Sequence, residues 1–215
     1  MSKKSESSRV YRVIYAIFSG IVGFVLRIKV INQQNEPVEG GFLVCANHTS
    51  ATDAVVIPYA FRRHQIRFMA KKELFKIPLL AQLIKVLGAF PIDRKGNDVG
   101  AIRKAVEFLK EGKSVGIFPQ GHRYPEVDPS TTPTKNGAAL IFTRAEADVV
   151  PVYIWRKNNK FKLFRRTYVI IGEKIPFSEM NYSSDEAGEY KRLTELVFER
   201  VCALGADFDA ESAKK

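Results

Sequence analysis

Crosslinks contribute nothing obvious to this chain. Cys45 and Cys202 are its only cysteines among 215 residues, they stand far apart, and no Cys-x-x-Cys pair occurs. A disulfide scaffold and a cysteine zinc site are thereby excluded, and a reducing compartment is expected. A run of about 20 apolar residues, the length of an upright membrane helix, is also missing. No Gly-x-Ser-x-Gly segment exists, which removes the strained serine elbow of the hydrolases as a nucleophile. Repeats and low-complexity linkers are absent as well. Acidic residues are scarce: 23 against 34 Lys and Arg, a formal charge of +11. So basic a surface suits an anionic partner, either nucleic acid, a membrane face or a phosphorylated substrate. Nucleic acid is not expected, because no reader motif and no basic stripe interleaved with aromatics is present.

What is present is enough apolar sequence for one sizeable core, arranged with an alternating period. Phe42–Ala46 follows Gly40-Gly41 and reads as a fully buried strand. Ala54–Phe61 reads as a helix and Ile66–Ala70 as a strand. Ile77–Leu87 has leucines at helical spacing before Gly88, and Ala89–Ile92 is a short strand. A helix capped by Asn97 or Asp98 runs to Lys110, with Val99, Ile102, Val106 and Leu109 on its apolar side. Ser114–Phe118 is a strand, Asn136–Ala147 a helix and Val149–Ile154 a strand. Phe161–Phe164 and Thr167–Ile171 are two more strands, and Asp185–Leu204 is a closing helix. Alternation of strand and helix predicts an α/β fold with a largely parallel central sheet flanked by helices. Ligand chemistry in such sheets gathers where strands end.

The N-terminus carries Lys3, Lys4, Arg9 and Arg12, then the uncharged stretch Val13–Leu26, then Arg27 and Lys29. That stretch is too short to span and has no cleavage site after it. It reads as an apolar helix lying in one leaflet, its cations among anionic headgroups at roughly 1 kcal/mol each. An ordinary buried first helix is the alternative. The expected division is a membrane-associating segment over 1–30, an α/β domain over 31–205 and a polar tail over 206–215. A monotopic or peripheral protein on the cytoplasmic face of a membrane follows from this reading.

Three strand ends carry polar clusters. Asn47-His48-Thr49-Ser50-Ala51-Thr52-Asp53 follows the first buried strand. On a regular helix His48 and Asp53 would point about 140° apart. They meet only if His48 sits on the turn and Asp53 in the first turn of the helix. Asp53 would then hold one ring nitrogen and leave the other free to take a proton from a hydroxyl. Taken alone, the same spacing also describes a helix cap with a packed histidine beside it. Phe90-Pro91-Ile92-Asp93-Arg94 and Phe118-Pro119-Gln120-Gly121-His122-Arg123 end the next two strands in order. Gly121 permits a sharp turn. Arg94 and Arg123 on neighbouring loops can grip a phosphate through paired charge-assisted bonds, or each can be a solvated loop charge. Cys45, inside an apolar strand, reads as a core residue, and His64, in a run of polar residues, as a solvated one. Arg156, Lys157, Lys160, Lys162, Arg165 and Arg166 form a further basic cluster, facing either headgroups and phosphates or plain solvent.

Asn-His-x-x-x-x-Asp, Phe-Pro-Ile-x-Arg, Phe-Pro-x-Gly-x-Arg and Val150-Pro151-Val152 occur in that order. This series resembles the glycerolipid acyltransferases, whose main bacterial members are the lysophosphatidate acyltransferases. The resemblance covers roughly Gly41–Ile154, with echoes in Lys71-Lys72-Glu73-Leu74 and Ile171–Pro176. It implies transfer of a fatty acyl group from acyl-CoA or acyl carrier protein to a lysophospholipid hydroxyl, with no metal or organic cofactor. His48 is then the general base and Asp53 its orienting partner. Arg94, Gln120, Gly121 and Arg123 bind the phosphate, with Lys71 as an extra cation, and Val150-Pro151-Val152 lies on the acyl-chain side. The partners implied are a phospholipid leaflet, the lysophospholipid acceptor and the thioester donor. One departure concerns the acceptor: Gln120 stands where the family usually has Glu, and His122-Arg123-Tyr124 where it often has Thr-Arg-Ser. A different lyso-lipid acceptor, or a transacylase, is therefore the alternative, and a non-enzymatic basic membrane- or nucleic-acid-binding protein the remoter one.

Overall fold

The computed structural model describes residues 20, 22–92 and 99–212. Its strands are β1 (Ile28–Ile31), β2 (Leu43–Ala46), β3 (Arg67–Lys71), β4 (Phe90–Ile92), β5 (Val115–Ile117), β6 (Val149–Trp155) and β7 (Thr167–Ile171). After β1 its α-helices are α1 (Asp53–Ala60), α2 (Pro78–Val86), α3 (Val99–Lys110), α4 (Gly137–Ala145) and α5 (Ala187–Ser212). The seven strands form one sheet in the order β1-β7-β6-β2-β5-β3-β4. Every pairing is parallel except β6 with β7. The expected α/β architecture with a mostly parallel sheet is therefore present.

Buried on both faces, β2 has no polar residue to expose, and its side chains feed two separate cores. Leu43 and Cys45 join Val115 and Val149 under α3, α4 and α5, against Ala105, Phe142, Leu193 and Val197. Val44 and Ala46 join Val150, Val152 and Ile154 under α1, against Val56, Ile57 and Ala60. In α3 the most buried positions are Ala101, Ala105 and Leu109, whereas Val99 is exposed. The expected stripe is thus rotated, because small side chains let α3 approach its neighbours closely while Ile102 and Val106 pack at the margin.

Several sequence-based boundaries move. β1 was not expected. It pairs along its whole length with β7, so residues 28–31 belong to the sheet. Phe161–Phe164 forms no strand, and Lys162, Leu163 and Phe164 are exposed in a loop. The closing helix continues through the expected polar tail to Ser212, since Phe208 packs against Trp155 and Tyr168. His64 is buried, not solvated. It meets Phe42 edge-on at 4.9 Å and its Nδ1 lies 3.4 Å from Glu36 Oε1. Glu36 also accepts the backbone N–H groups of Arg62 and Arg63, at 3.1 and 2.7 Å. Burial pushes the Glu36 carboxyl up, but the bonds from His64, Arg63 and Arg62 outweigh it and hold it below the ordinary carboxylate range.

Residues 1–19 of the expected N-terminal segment lie outside the described residues. The part that is described, 20 and 22–26, is helical, with Val22 and Leu26 buried against the α1 side of the sheet and Phe24 exposed. Among the described residues no helix is long and apolar enough to cross a membrane.

Candidate active site

The parallel strands β6, β2, β5 and β3 are neighbours in the sheet, so the loops at their C-terminal ends meet along one rim. The loop after β2 bends from strand to helix at Ser50, whose carbonyl accepts the Asp53 N–H at 3.2 Å. Asp53 opens α1, and its side chain folds back over the loop. Its Oδ2 accepts the N–H groups of Thr49 at 2.7 Å and Ser50 at 2.8 Å, and lies 2.9 Å from His48 Nδ1. Its Oδ1 accepts Nη1 of Arg156 at 2.6 Å. Asp53 is fully buried. Burial pushes its carboxyl up, yet the His48 bond, the charge of Arg156 and the loop N–H groups together hold it below its ordinary value. An ionised carboxylate can only accept, so Nδ1 of His48 is the donor, and in the neutral ring Nε2 carries the lone pair.

The imidazole is held on its other sides too. It stacks on Phe118 at 3.9 Å and 8°, and Phe118 stacks on Phe68 at 5.3 Å. This pile of rings needs Gly116, because a Cβ there would collide with the Phe68 ring. The backbone of His48 is clamped between its N–H donating to Gln120 Oε1 at 2.6 Å and its carbonyl accepting Tyr124 N–H at 2.9 Å. Asn47 ties the end of β2 to β6, accepting Ile154 N–H at 2.7 Å and donating to its carbonyl at 3.1 Å.

Of the residues singled out from sequence, His48 and Asp53 are brought into contact as required. Gly121 supplies the expected sharp turn. Its φ is +69°, a conformation costly for any residue with a Cβ, and its N–H closes the turn onto the Phe118 carbonyl at 2.9 Å. Arg123 is exposed on that turn, and Lys71 is exposed at the end of β3. Since β3 is the second strand from β2, Lys71 stands about 10 Å across the sheet from the His48 strand. Arg94 lies outside the described residues. Gln120 departs from its expected place among the acceptor-binding groups. It is buried, with Oε1 on His48 and Nε2 donating to Thr132 Oγ1 at 2.6 Å, so it braces the base from within. Val150-Pro151-Val152 is the buried middle of β6. The buried thiol of Cys45 is pushed well above its ordinary value by desolvation, which suits a core residue and not a nucleophile.

Arg156 is the residue that sequence reasoning misplaced. Its position in a basic cluster suggested headgroups or solvent, but it is 3% exposed. Its guanidinium donates to Asp53, to Thr49 Oγ1 at 2.8 Å, to Thr52 Oγ1 at 3.2 Å and to Thr167 Oγ1 at 3.3 Å. The signal was its place one residue beyond β6, which becomes informative only once β6 is known to lie beside β2. Among the described residues no group of three His, Cys, Asp or Glu side chains could hold a metal ion.

Known proteins resemble this chain over most of its length. The 1-acyl-sn-glycerol-3-phosphate acyltransferase of Bacillus subtilis is 31% identical over 185 residues, covering 85% of this chain and 90% of that protein. The protein of the same name from Streptococcus pneumoniae is 33% identical over 151 residues, covering 69% of this chain and 55% of its own length. The crystal structure of the 1-acyl-sn-glycerophosphate (LPA) acyltransferase of Thermotoga maritima superposes with a TM-score of 0.69 at 28% identity, covering 92% of this chain and 80% of that one. The family model described as Acyltransferase matches residues 27–155, which is more than half of the chain and runs from the start of the sheet to the end of β6, so the chain belongs to the Acyltransferase family.

Proposed function

We propose that this acyltransferase moves a fatty acyl group from a thioester, acyl-CoA or acyl carrier protein, to the free hydroxyl of 1-acylglycerol-3-phosphate, giving phosphatidic acid. The observation that carries the reading is the His48–Asp53 contact, which leaves Nε2 of the imidazole as a base at the rim. Nε2 takes the hydroxyl proton as the alcohol oxygen attacks the thioester carbonyl. A tetrahedral intermediate forms, collapses with loss of the thiolate, and the imidazolium returns the proton to the sulfur. No acyl-enzyme is needed. Proton transfer of this kind supplies about 10² to 10⁴ in rate, and the rest comes from holding the two substrates together. Arg123, and Lys71 across the sheet, provide the cationic edge for a phosphomonoester. Gln120 faces inward, so its neutrality gives no support to a different acceptor.

The purified protein assayed with both donors against lysophosphatidate and lysophosphatidylcholine tests this. A phosphomonoester gripped by charge-assisted bonds of about 1.5–3 kcal/mol each should be preferred by about tenfold or more. Equal turnover of the two acceptors would remove the phosphate assignment, and no turnover with either thioester would remove the donor class.

The acceptor is a membrane lipid, and two exposed apolar patches flank the rim. On one side Leu74, Ile77 and Leu79 follow the C-terminal end of β3, beside Lys71 and Lys76. On the other, Phe24, Leu163 and Phe164 stand near Arg27, Lys162, Arg165 and Arg166, joined by the Phe164 N–H bond to the Val25 carbonyl. Apolar side chains ringed by cations fit the boundary of an anionic leaflet. Flotation with phosphatidylglycerol-rich vesicles is the measurement. The protein should float, and the double variant Ile77→Ser, Leu79→Ser should partition about 100-fold less or weaker still, since burying each side chain is worth about 1.5–3 kcal/mol. Unchanged flotation of that variant would exclude this patch from the contact.

A further inference from the structure

We propose that Arg156 is a positioning residue for the reaction: it fixes the Asp53 carboxylate against His48 and offsets part of its charge, leaving the imidazole free to accept the substrate proton. This inference rests on the reading of His48 as the base.

The geometry is specific. The Asp53 carboxylate has two oxygens and the site divides them. Oδ2 serves His48 and the loop N–H groups, and Oδ1 serves Arg156. A carboxylate held by His48 alone could rotate about its last bond. Held at both oxygens, it cannot turn without breaking a buried charge-assisted contact. The guanidinium is itself immobilised, because Thr49, Thr52 and Thr167 each accept from it and its carbon sits 5.6 Å from the Phe161 ring centre. Those hydroxyls come from the β2 loop, the start of α1 and the start of β7. One planar fork therefore ties three elements to the carboxylate that orients the base, which a lysine with its single point charge cannot reproduce.

The electrostatic consequence has a definite sign. A lone carboxylate beside the ring favours the imidazolium, the form that cannot take the substrate proton. A cation on the far side of the carboxylate opposes this. The groups that face His48 among the described residues are Asp53 from α1, the ring of Phe118, the amide of Gln120 and the backbone of Tyr124. Those that face Asp53 are Arg156, Thr49 and Ser50, and those that face Arg156 are the three threonines and Phe161. Within this contact network Asp53 and Arg156 are the charged pair, while His122 and Arg123 stand exposed on the Gly121 turn and stay the same in every variant below.

The test is the pH dependence of kcat/KM for thioester-dependent acylation of lysophosphatidate, in wild type, Arg156→Gln and Arg156→Lys. Removing the cation should move the acid limb up by roughly one pH unit and lower kcat about 10- to 100-fold by loosening the base, with KM for the acceptor little changed. Arg156→Lys restores the cation but not the fork. It should return the limb to its wild-type position while recovering only part of kcat. If both variants lose rate equally at every pH with the limb unmoved, Arg156 is a structural tie and the proposal fails, while the assignment of His48 as the base stands. If Arg156→Gln does not fold, Arg156→Met, of similar length and without charge, carries the decision: an acid limb moved up with reduced kcat supports the proposal, and a limb at the wild-type pH overturns it. Full activity in His48→Ala would instead defeat the reading on which this one rests, so the two failures are distinguishable.

Discussion

Replacing His48 with alanine should lower the rate of acyl transfer about 10²- to 10⁴-fold, the usual contribution of a positioned base, without unfolding the protein. The fold survives because Asp53 keeps three other partners, Thr49, Ser50 and Arg156, and the loop keeps its Tyr124 and Gln120 clamps, which act on the backbone of residue 48. Single-turnover acylation of lysophosphatidate at saturating donor, beside a thermal melt of the same preparation, reads both quantities. A variant that keeps full activity would end the assignment of the base.

Asp53→Asn should be nearly as severe in rate and far worse in stability. The amide oxygen can still accept from Arg156, but the amide nitrogen would then face the N–H groups of Thr49 and Ser50, donor against donor. His48 would be driven to the tautomer whose Nδ1 accepts, placing the proton on Nε2 where the lone pair is required. Removing the charge also leaves the Arg156 guanidinium buried without a counter-ion, a loss on the order of 3–5 kcal/mol. The pH dependence follows from the direction of the Asp53 shift. A carboxyl held below its unfolded value contributes stability that is fully present above that unfolded value, near 3.8. The contribution is lost as pH falls through the lower, folded value. Wild type should therefore lose part of its melting temperature in that acid range, and Asp53→Asn should start lower at neutral pH and fall less. Equal melting temperatures at pH 7 would show that the ion pair carries no stability.

Much of the molecule could be read from local pattern. The apolar run Leu43–Ala46, the spacing of His48 to Asp53 and the Gly121 turn each concern residues close in sequence. Short-range sterics and the two periodicities of strand and helix decide such features. The readings that failed share the opposite character. β1 is a strand because β7 lies beside it. His64 is buried because Phe42 and Glu36 reach it from elsewhere in the chain. Gln120 looked like an acceptor-facing group because its type is compatible with that role, and nothing local reveals that both ends of its amide are taken.

From the residues alone came the α/β class, the strand ends that carry polar clusters, and the pair formed by a histidine and an aspartate five positions apart. Tertiary structure decided that β6 lies beside β2 in the register Ala46 to Val152, which carries Arg156 across 103 residues of chain onto Asp53. The physical reason is that strand order and register are set by the packing of whole layers, and a guanidinium in a basic run has the same local sequence whether it ends in water or against a buried carboxylate.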